Sequence, residues 1–245
     1  MAAYLQELQN ETKAAVSIDG ASIINNTFHM KDISLNIRKG FVTAVIGKNS
    51  SGKTTLMEAI AGIHGIAKGE IRIGGYDLIK EPEKAKETIG FIFHKCPFGE
   101  QLSAIDCMKM YGRFYRDFNI EKFLGLCKEM KVDTDKIIRK MSKGQAVKLQ
   151  LAFALAHDAG LLLFDDAMEG LDPVFRIEVK RRLSDIMADG EHTVVMSTKL
   201  PEDLEGIADY IVTLRNGRVD CETDIEKLME EGGIREYFKR MEEKA

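Results

Sequence analysis

The strongest indication of the fold class comes from one segment, Phe41-Val-Thr-Ala-Val-Ile-Gly47-Lys-Asn-Ser-Ser-Gly52-Lys-Thr54-Thr-Leu-Met-Glu-Ala-Ile-Ala61. Its apolar, β-branched beginning predicts a buried strand, and the residues from Thr55 onward predict a helix. Between them, Gly47 to Thr54 match the pattern G-x-x-x-x-G-K-[ST] at every fixed position. Since this pattern requires a strand before it and a helix after it, the sequence predicts an α/β domain with a phosphate-binding loop (P-loop).

Each residue type in the loop has a task toward a phosphate. Glycines let the backbone curl so that N–H groups converge on an anion, and the helix N-terminus adds partial positive charge. Lys53 is expected to reach the β- and γ-phosphates of ATP, and the Thr54 hydroxyl to bind Mg²⁺. A glycine-rich turn followed by an accidental lysine is the disfavoured alternative. The predicted nucleotide-binding residues here are Gly47, Lys48, Asn49, Ser50, Ser51, Gly52, Lys53, Thr54 and Thr55.

A second apolar run ends in two acids. Leu161–Phe164 predict a buried strand, and Asp165 and Asp166 follow it. Ligands of α/β sheets bind at the carboxyl ends of the strands, so these acids are expected beside the P-loop. We predict that Asp165 holds Mg²⁺, directly or through water. Two acids after a strand are a weak signal alone and a strong one behind a P-loop.

Composition limits the classes of function. The 245 residues are 44% hydrophobic and 30% charged, which is typical of a folded domain with a sizeable core. The net charge of -4 gives no basic field for nucleic acid. The four cysteines form no Cys-x-x-Cys pair and are expected to be reduced cytosolic thiols.

The first residues lack a signal-peptide pattern, and no apolar run approaches the ~20 residues that span a bilayer. Work at a membrane would therefore need another chain to supply the span.

Apolar spacing predicts the order of elements. Alternating or β-branched runs predict strands around Val16–Ile18, Ile23–Ile24, Ile33–Ile37, Glu70–Gly74, Thr193–Ser197 and Tyr210–Leu214. Asn216-Gly217 is a hairpin signal. Helical spacing from Ser103 to Met141 predicts an inserted helical lobe. A charged amphipathic helix over Asp224–Lys244 is expected to close the chain and to pack on its own domain, with contacts to another subunit as the alternative. A short helix is expected within residues 1–13.

Two further motifs carry a resemblance to a known family. Met141-Ser142-Lys-Gly144-Gln145 stands about twenty residues before the acidic strand and resembles the Leu-Ser-Gly-Gly-Gln signature of ABC ATPases. Glu169-Gly-Leu-Asp172-Pro173 resembles the family's D-loop. The resemblance covers about residues 16–220 and extends to the order and spacing of the motifs.

The resemblance implies an α/β fold with a P-loop NTPase core of mainly parallel sheet, an antiparallel β subdomain and an inserted helical subdomain. A single ABC ATPase domain is expected over residues 1–245. Its core and β subdomain would take residues 14–100 and 158–220, its helical subdomain 101–157, and a C-terminal helical extension 221–245.

The resemblance also implies partners. ABC ATPases form head-to-tail dimers, in which ATP lies between the P-loop of one chain and, in the other, the residues matching Ser142, Gly144, Gln145 and Asp172. Ser142 is expected to cap a helix, leaving N–H groups that face the γ-phosphate. A second ABC ATPase subunit and a multi-span membrane permease are implied, with this chain peripheral on the cytoplasmic face of the membrane. The phrasing of Asp32–Leu35 and Gly170–Arg176 is most similar to the branch paired with ABC-2-type exporters of peptides, antibiotics or lipids.

Three positions that the family uses for hydrolysis differ. His94 replaces the glutamine that touches Mg²⁺-bound water, Asp166 replaces the glutamate that polarises the attacking water, and Lys199 replaces the switch histidine. A general base must lie within about 2.6–3.2 Å of its proton, and one lost methylene exceeds that tolerance. The Lys199 ammonium can still neutralise γ-phosphate charge. We therefore expect slow hydrolysis, and the alternative of tolerated substitutions in a working enzyme stays open.

Other assignments remain open at this point. The family stacks adenine on an aromatic residue, and Phe28 is the nearest ring, although a core role suits it equally. A nucleotide-sensing regulatory module with little turnover is an alternative function. A soluble ABC ATPase of translation or DNA repair is disfavoured, because those proteins resemble tandem two-domain chains or carry long coiled-coil insertions.

Overall fold

Two β-sheets form the framework of the part of the chain that the computed structural model describes, residues 14–25 and 28–243. The first sheet is antiparallel and contains β1 (Ala14–Asn25), β2 (Phe28–Arg38), β4 (Gly65–Ile73) and β5 (Tyr76–Asp77), in the order β2-β1-β4-β5. Several strands are longer than their sequence patterns indicate. The helix predicted within residues 1–13 lies outside the described residues.

The second sheet is mainly parallel, as predicted. It contains β3 (Val42–Ile46), β6 (Ile89–Phe93), β7 (Leu161–Asp165), β8 (Thr193–Thr198), β9 (Tyr210–Arg215) and β10 (Arg218–Asp224). Their order is β10-β9-β3-β8-β7-β6, and within it β10 pairs antiparallel to β9. The parallel sheet, the separate antiparallel sheet and the helices around them confirm the predicted fold class.

Helices connect the strands and cover the second sheet. They are α1 (Lys53–Ile60), α2 (Pro82–Glu87), α3 (Ala104–Tyr111), α4 (Ile120–Glu129), α5 (Lys143–Ala156), α6 (Pro173–Met187), α7 (Pro201–Leu204), α8 (Ile225–Glu230) and α9 (Gly233–Glu243). The predicted helical lobe contains α3 and α4, and its division from the core into subdomains stays a prediction. Within residues 14–25 and 28–243, no helix combines the length and apolarity needed to cross a membrane.

Strand β3 is buried on both faces, which explains why its sequence is apolar apart from Thr43. Val42, Ala44 and Ile46 belong to a core shared with α4 and α5. Val45 belongs to a second core, shared with β1, β2 and α1. Strands of a parallel sheet that are covered on both sides read as unbroken apolar runs. Packing from two sides therefore fixes the end of β3, from which the P-loop begins.

The predicted hairpin at Asn216-Gly217 is confirmed and touches the P-loop. Both residues have positive φ, 49° and 73°, as a type I′ turn requires. The Gly217 N–H donates a hydrogen bond to the Ser51 carbonyl at 3.0 Å. The turn of this hairpin, at the carboxyl end of β9, thus braces the P-loop.

The prediction of one C-terminal helix over Asp224–Lys244, in an extension beginning at residue 221, is wrong. The hairpin extends β10 to Asp224, whose carboxylate caps α8 by accepting a hydrogen bond from the Lys227 N–H at 2.7 Å. Gly232 and Gly233 then adopt positive φ of 107° and 85°, a backbone that cannot continue a right-handed helix. Two short helices result.

The prediction that the C-terminal segment packs on its own domain is confirmed. Leu228, Ile234 and Phe238 are buried in the core that contains Val42. The Tyr237 hydroxyl lies 2.8 Å from the Thr213 hydroxyl on β9, so α9 is also anchored by a polar contact.

We expect Phe238→Ala to lower the free energy of unfolding by about 3 kcal/mol, because it empties a buried aromatic site. Phe238 is 6% exposed. Met229→Ala is the matched control in the same segment, since Met229 is 63% exposed and should change stability by less than about 0.5 kcal/mol. Urea denaturation measures both, and equal effects would contradict the packing of α9.

Candidate functional site

Residues predicted to bind phosphate, to bind the metal or to act in catalysis follow the carboxyl ends of four neighbouring strands. Lys53 follows the loop after β3, His94 follows β6, Asp165 ends β7 and Lys199 follows β8. These strands are parallel neighbours, so their carboxyl ends open at one edge of the sheet. The structure therefore brings together residues that are separated by up to 146 positions, from Lys53 to Lys199.

The P-loop is a tight cradle with an unpaired hydroxyl inside it. A Cβ on Gly47 would overlap Ser51 Oγ and lie 2.6 Å from the Leu214 carbonyl oxygen, so no side chain fits there. Ser51 Oγ is buried and has no hydrogen-bond partner among the described residues. Leaving a buried hydroxyl unpaired costs about 1–3 kcal/mol, and a phosphate oxygen would satisfy it. The cradle therefore fits an anion.

The other predicted P-loop residues differ in exposure. Lys48, Asn49 and Ser50 form the exposed outer turn, and Gly52 is buried before α1. Thr55 is buried in the first turn of α1, whereas Thr54 is exposed at the mouth of the cradle.

The Lys53 ammonium curls back over the loop. Its Nζ donates hydrogen bonds to the Gly47 carbonyl at 2.8 Å and to the Lys48 carbonyl at 3.1 Å. Burial lowers the pKa of Lys53 from its usual value, and the charges of Asp166 and Asp165 oppose this effect. Phosphate oxygens are charged acceptors and bind an ammonium more strongly than carbonyls do. Lys53 can therefore exchange its carbonyl contacts for phosphate contacts.

Asp165 and Thr54 form a pair of oxygen donors beside the cradle. Asp165 Oδ1 accepts hydrogen bonds from Ser197 Oγ at 2.7 Å and from Thr54 Oγ1 at 3.2 Å. Burial raises the pKa of Asp165, and the two hydrogen bonds oppose that shift. Carboxylate and hydroxyl oxygens are ligands that Mg²⁺ accepts, and a cation would compensate the buried charge. The residues present fit a Mg²⁺ ion.

Sequence reasoning missed Ser197, which positions both acids. Its hydroxyl donates to Asp165 Oδ1 and accepts a hydrogen bond from the Asp166 N–H at 2.9 Å. Ser197 lies opposite Asp165 in the register of β7 and β8. The available signal was a hydroxyl near the end of a strand predicted to be buried.

The imidazole of His94 contacts the main chain of Asp166. Asp166 has a positive φ of 44°, a region that Asp enters more readily than most residues do. Its carbonyl oxygen lies 3.0 Å from His94 Nδ1. The predicted base and the predicted glutamine replacement thus share one small region beside Asp165.

Lys199 takes part in a charge cluster that sequence reasoning missed. Its Nζ lies 2.6 Å from Glu169 Oε1, and His94 Nδ1 lies 4.0 Å from Glu169 Oε2. Lys143 Nζ donates to the Glu169 main-chain carbonyl and lies 3.1 Å from His94 Nδ1. Glu169 and Lys143 were visible inside the D-loop and signature motifs, but no spacing rule assigned them a role.

The signature segment begins α5 with the predicted cap. Ser142 Oγ accepts a hydrogen bond from the Gln145 N–H, and Gln145 Oε1 accepts one from the Ser142 N–H, both at 3.2 Å. This reciprocal capping box confirms the predicted role of Ser142 as N-cap. Gly144 lies against Phe175 of α6, where a Cβ would overlap the ring. Gly144 therefore has a packing reason within its own chain.

Asp172 and Phe28 have structural contacts of their own. Asp172 Oδ1 accepts hydrogen bonds from the N–H groups of Val174 and Phe175, both at 3.1 Å, and caps α6. The half-buried Phe28 ring packs against the core containing Val45 and approaches the backbones of Gly52 and Gly217. A role of either residue toward a nucleotide stays a prediction.

A family model described as ABC transporter matches residues 30–169, which is more than half of the chain. The chain belongs to the ABC transporter family. This match includes the P-loop, the signature segment and both acids, and it identifies the chain as an ATP-binding subunit of the P-loop ATPase class.

Curated relatives of this ABC ATPase span most of its length. NatA, an ABC transporter ATP-binding protein of Bacillus subtilis, is 28% identical over 82% of this chain and 84% of its own. YhcH, an uncharacterized ABC transporter ATP-binding protein of the same organism, is 30% identical over 92% and 70%. DrrA3, a daunorubicin resistance ATP-binding protein of Streptomyces coeruleorubidus, is 26% identical over 89% and 71%.

Solved structures share the fold. The ATP-binding subunit of an ABC transporter superposes with a TM-score of 0.81 at 21% identity, covering 93% of this chain and 99% of that one. A dimeric ATP-binding cassette, MJ0796, in a post-hydrolysis state bound to ADP and Pi, gives 0.76 at 21% identity, over 85% and 98%.

We expect Gly47→Ala to abolish nucleotide binding, because its Cβ would force apart Ser51 and the Leu214 carbonyl. Gly65→Ala is the matched control, since a Cβ there meets no atom within 4 Å. Fluorescent-nucleotide titration measures binding, and thermal melting reports whether each variant is folded. Normal binding by a folded Gly47→Ala would contradict the cradle geometry.

Proposed function

We propose that this ABC ATPase binds MgATP at a head-to-tail dimer interface and drives export through a separate membrane permease. The observation that carries the proposal is the P-loop cradle, with its orphaned Ser51 hydroxyl, beside the Thr54–Asp165 oxygen pair. An anion site next to a divalent-cation site is the arrangement that a nucleoside triphosphate with Mg²⁺ requires.

Each group at the site has a task in binding. Lys53 leaves the carbonyls of Gly47 and Lys48 and takes the β- and γ-phosphate oxygens, while the loop N–H groups surround the same phosphates. Thr54 and Asp165 hold Mg²⁺, directly or through water. When bound, this ion neutralises charge on the β- and γ-phosphates. Ser197 keeps the Asp165 carboxylate in place throughout.

The second protomer completes the site in this proposal. The capping box uses the side chains of Ser142 and Gln145 at the N-terminus of α5, where partial positive charge remains for an anion. Asp172 caps α6, and Gly144 packs against Phe175 of the same helix. The dimeric cassette among the related folds supports this arrangement, and the partner is either an identical or a different ABC ATPase.

Slow hydrolysis is part of the proposal. Asp166 is one methylene shorter than the family's glutamate, and its backbone is held in the left-handed region. His94 Nδ1 lies against the Asp166 carbonyl, and the Lys199 ammonium is engaged by Glu169. All three groups that replace the family's hydrolytic residues therefore have either a shorter reach or a competing contact.

A multi-span permease is the proposed membrane partner. The family places its coupling surface near residues 96–110, and exposed apolar side chains occur at the end of this range and in the residues that follow it. They are Met110, Phe114, Ile120 and Leu124. Docking there would hold the chain on the cytoplasmic face of the membrane. Export rests on the motif phrasing, because relatives include a drug-resistance protein as well as a sulfate/thiosulfate import protein.

A nucleotide-sensing regulatory module is the second candidate function. The contacts that engage His94 and Lys199 favour it, since a sensor needs binding but not turnover. A single-turnover assay separates the two candidates. Release of one phosphate per bound ATP on the timescale of transport supports the transport subunit, and retention of intact ATP supports the sensor.

We expect Lys53→Ala to weaken MgATP binding by roughly 10- to 150-fold, the effect of losing a hydrogen bond to a charged group. Lys39→Ala is the matched control, because Lys39 is an exposed lysine just before the amino end of β3. Isothermal titration measures affinity, and sedimentation with the permease present measures ATP-dependent pairing. Unchanged affinity in Lys53→Ala would overturn the proposed function.

We expect the wild-type protein to hydrolyse ATP slowly and Asp166→Glu to raise its turnover by about tenfold or more, a fraction of the effect of a well-placed general base. The longer carboxylate restores the reach that Asp166 lacks. Steady-state phosphate release measures the rate, and thermal melting checks that glutamate tolerates the positive φ. A fast wild-type rate that falls in Asp166→Glu would refute slow hydrolysis.

A further inference from the structure

The backbone that carries Lys199 is rigidly held. Thr198 Oγ1 donates a hydrogen bond to Asp203 Oδ2 at 2.6 Å and accepts one from the Leu200 N–H at 3.0 Å. Thr198 and Asp203 are 3% and 1% exposed. In contrast, the Lys199 side chain is 40% exposed. The Lys199 side chain therefore extends from a buried, hydrogen-bonded backbone into a more exposed position.

The ion pair of Lys199 with Glu169 lies within electrostatic reach of the phosphate site. Thr198 lies opposite Ile46 in the register of β3 and β8, so Lys199 leaves β8 at the level where Gly47 begins the P-loop. Lys53 is the residue that grips the phosphates in the proposed function. A phosphate bound beside Lys53 would consequently attract Lys199 and repel Glu169.

We propose that Glu169 is a positioning residue for Lys199, which it holds by an ion pair until the γ-phosphate of bound ATP takes the ammonium away. The proposal rests on the proposed function and adds a competition within it. The exposed pair is weak, because both side chains are screened by water. A terminal phosphate carries more charge than one carboxylate, so it can displace Glu169 from Lys199.

The competition makes the site sensitive to the γ-phosphate. ATP must break the pair to reach Lys199, whereas ADP has no γ-phosphate to offer and leaves the pair closed. The Glu169 carboxylate therefore lowers the affinity for ATP relative to ADP. Lys143 is not part of this competition, because it contacts the Glu169 main-chain carbonyl, which a side-chain substitution leaves in place.

The test compares affinities for Mg-AMPPNP, which has a γ-phosphate that is not hydrolysed, and Mg-ADP by isothermal titration. We expect Glu169→Gln to bind Mg-AMPPNP about two- to fivefold more tightly, the range that exposed ion pairs allow, with no change for Mg-ADP. Glu169→Asp keeps the charge and should stay near wild type. Glu191→Gln breaks another exposed lysine pair, with Lys39 at 2.7 Å, and should change neither affinity.

A double-mutant cycle with Lys199→Met identifies the cause. In the Lys199→Met background, Glu169→Gln should no longer tighten Mg-AMPPNP binding. If it tightens binding as much as in the wild type, Glu169 acts on the phosphate directly and the proposal is overturned. It is also overturned if Glu169→Gln changes the affinities for Mg-AMPPNP and Mg-ADP equally or changes neither.

Lys53→Ala separates this inference from the proposed function. If Lys53→Ala weakens Mg-AMPPNP binding and Glu169→Gln has no effect, only the positioning role fails. If wild-type protein binds neither nucleotide, the proposed function fails together with the inference.

Discussion

Because β3 pairs in parallel with both β8 and β9, its carboxyl end can open only at the edge where theirs open. Two hydrophobic cores pack against opposite faces of β3 and hold it in place. The P-loop therefore starts from a fixed point, and the acids at the end of β7 face it across β8. The pairing of β3 with β8 and of β8 with β7 therefore sets the relative positions of the P-loop, Lys199 and Asp165. A register shift of one residue between β7 and β8 would move Ser197 away from Asp165 and leave that buried carboxylate without its nearest donor.

The parts of the site that sequence reasoning predicted are those with one local solution. The P-loop pattern needs only a strand, a curled loop and a helix, all contiguous in the chain, so residues 41–61 predict it without knowledge of the rest. The same holds for Ser142, whose partner Gln145 is three residues away, and for Asn216-Gly217, whose turn type follows from two residues. In each case, the atoms that interact lie within one element and its ends.

The parts that it could not predict depend on contacts between distant segments. Glu169 lies in the loop before α6, and Lys199 lies in the loop after β8. The two residues meet only because the fold places these loops side by side, and no spacing along the chain encodes that contact. Ser197 is one of several hydroxyls near strand ends, and the register of β7 with β8 selects it. The prediction of a single C-terminal helix failed for a different reason. The alternation of charged and apolar residues over 224–243 is helical throughout, but the left-handed backbone of Gly232 and Gly233 interrupts the helix.

The substitutions around the γ-phosphate position are best understood as one electrostatic set. Lys143 and Lys199 add two positive charges where the family signature has glycine and where the family switch has histidine. Glu169 contacts Lys199 through its carboxylate and Lys143 through its main-chain carbonyl. Without Glu169, the Lys199 ammonium would repel Lys53 in the nucleotide-free chain, with only Asp165 and Asp166 to offset the repulsion. With Glu169 present, the charge of Lys199 is offset in the nucleotide-free chain, and in the proposed function the γ-phosphate then supplies the negative charge to which Lys199 responds. In the proposed function, nucleotide binding depends on summed charge, which many arrangements satisfy, whereas hydrolysis depends on the reach of one carboxylate to one water.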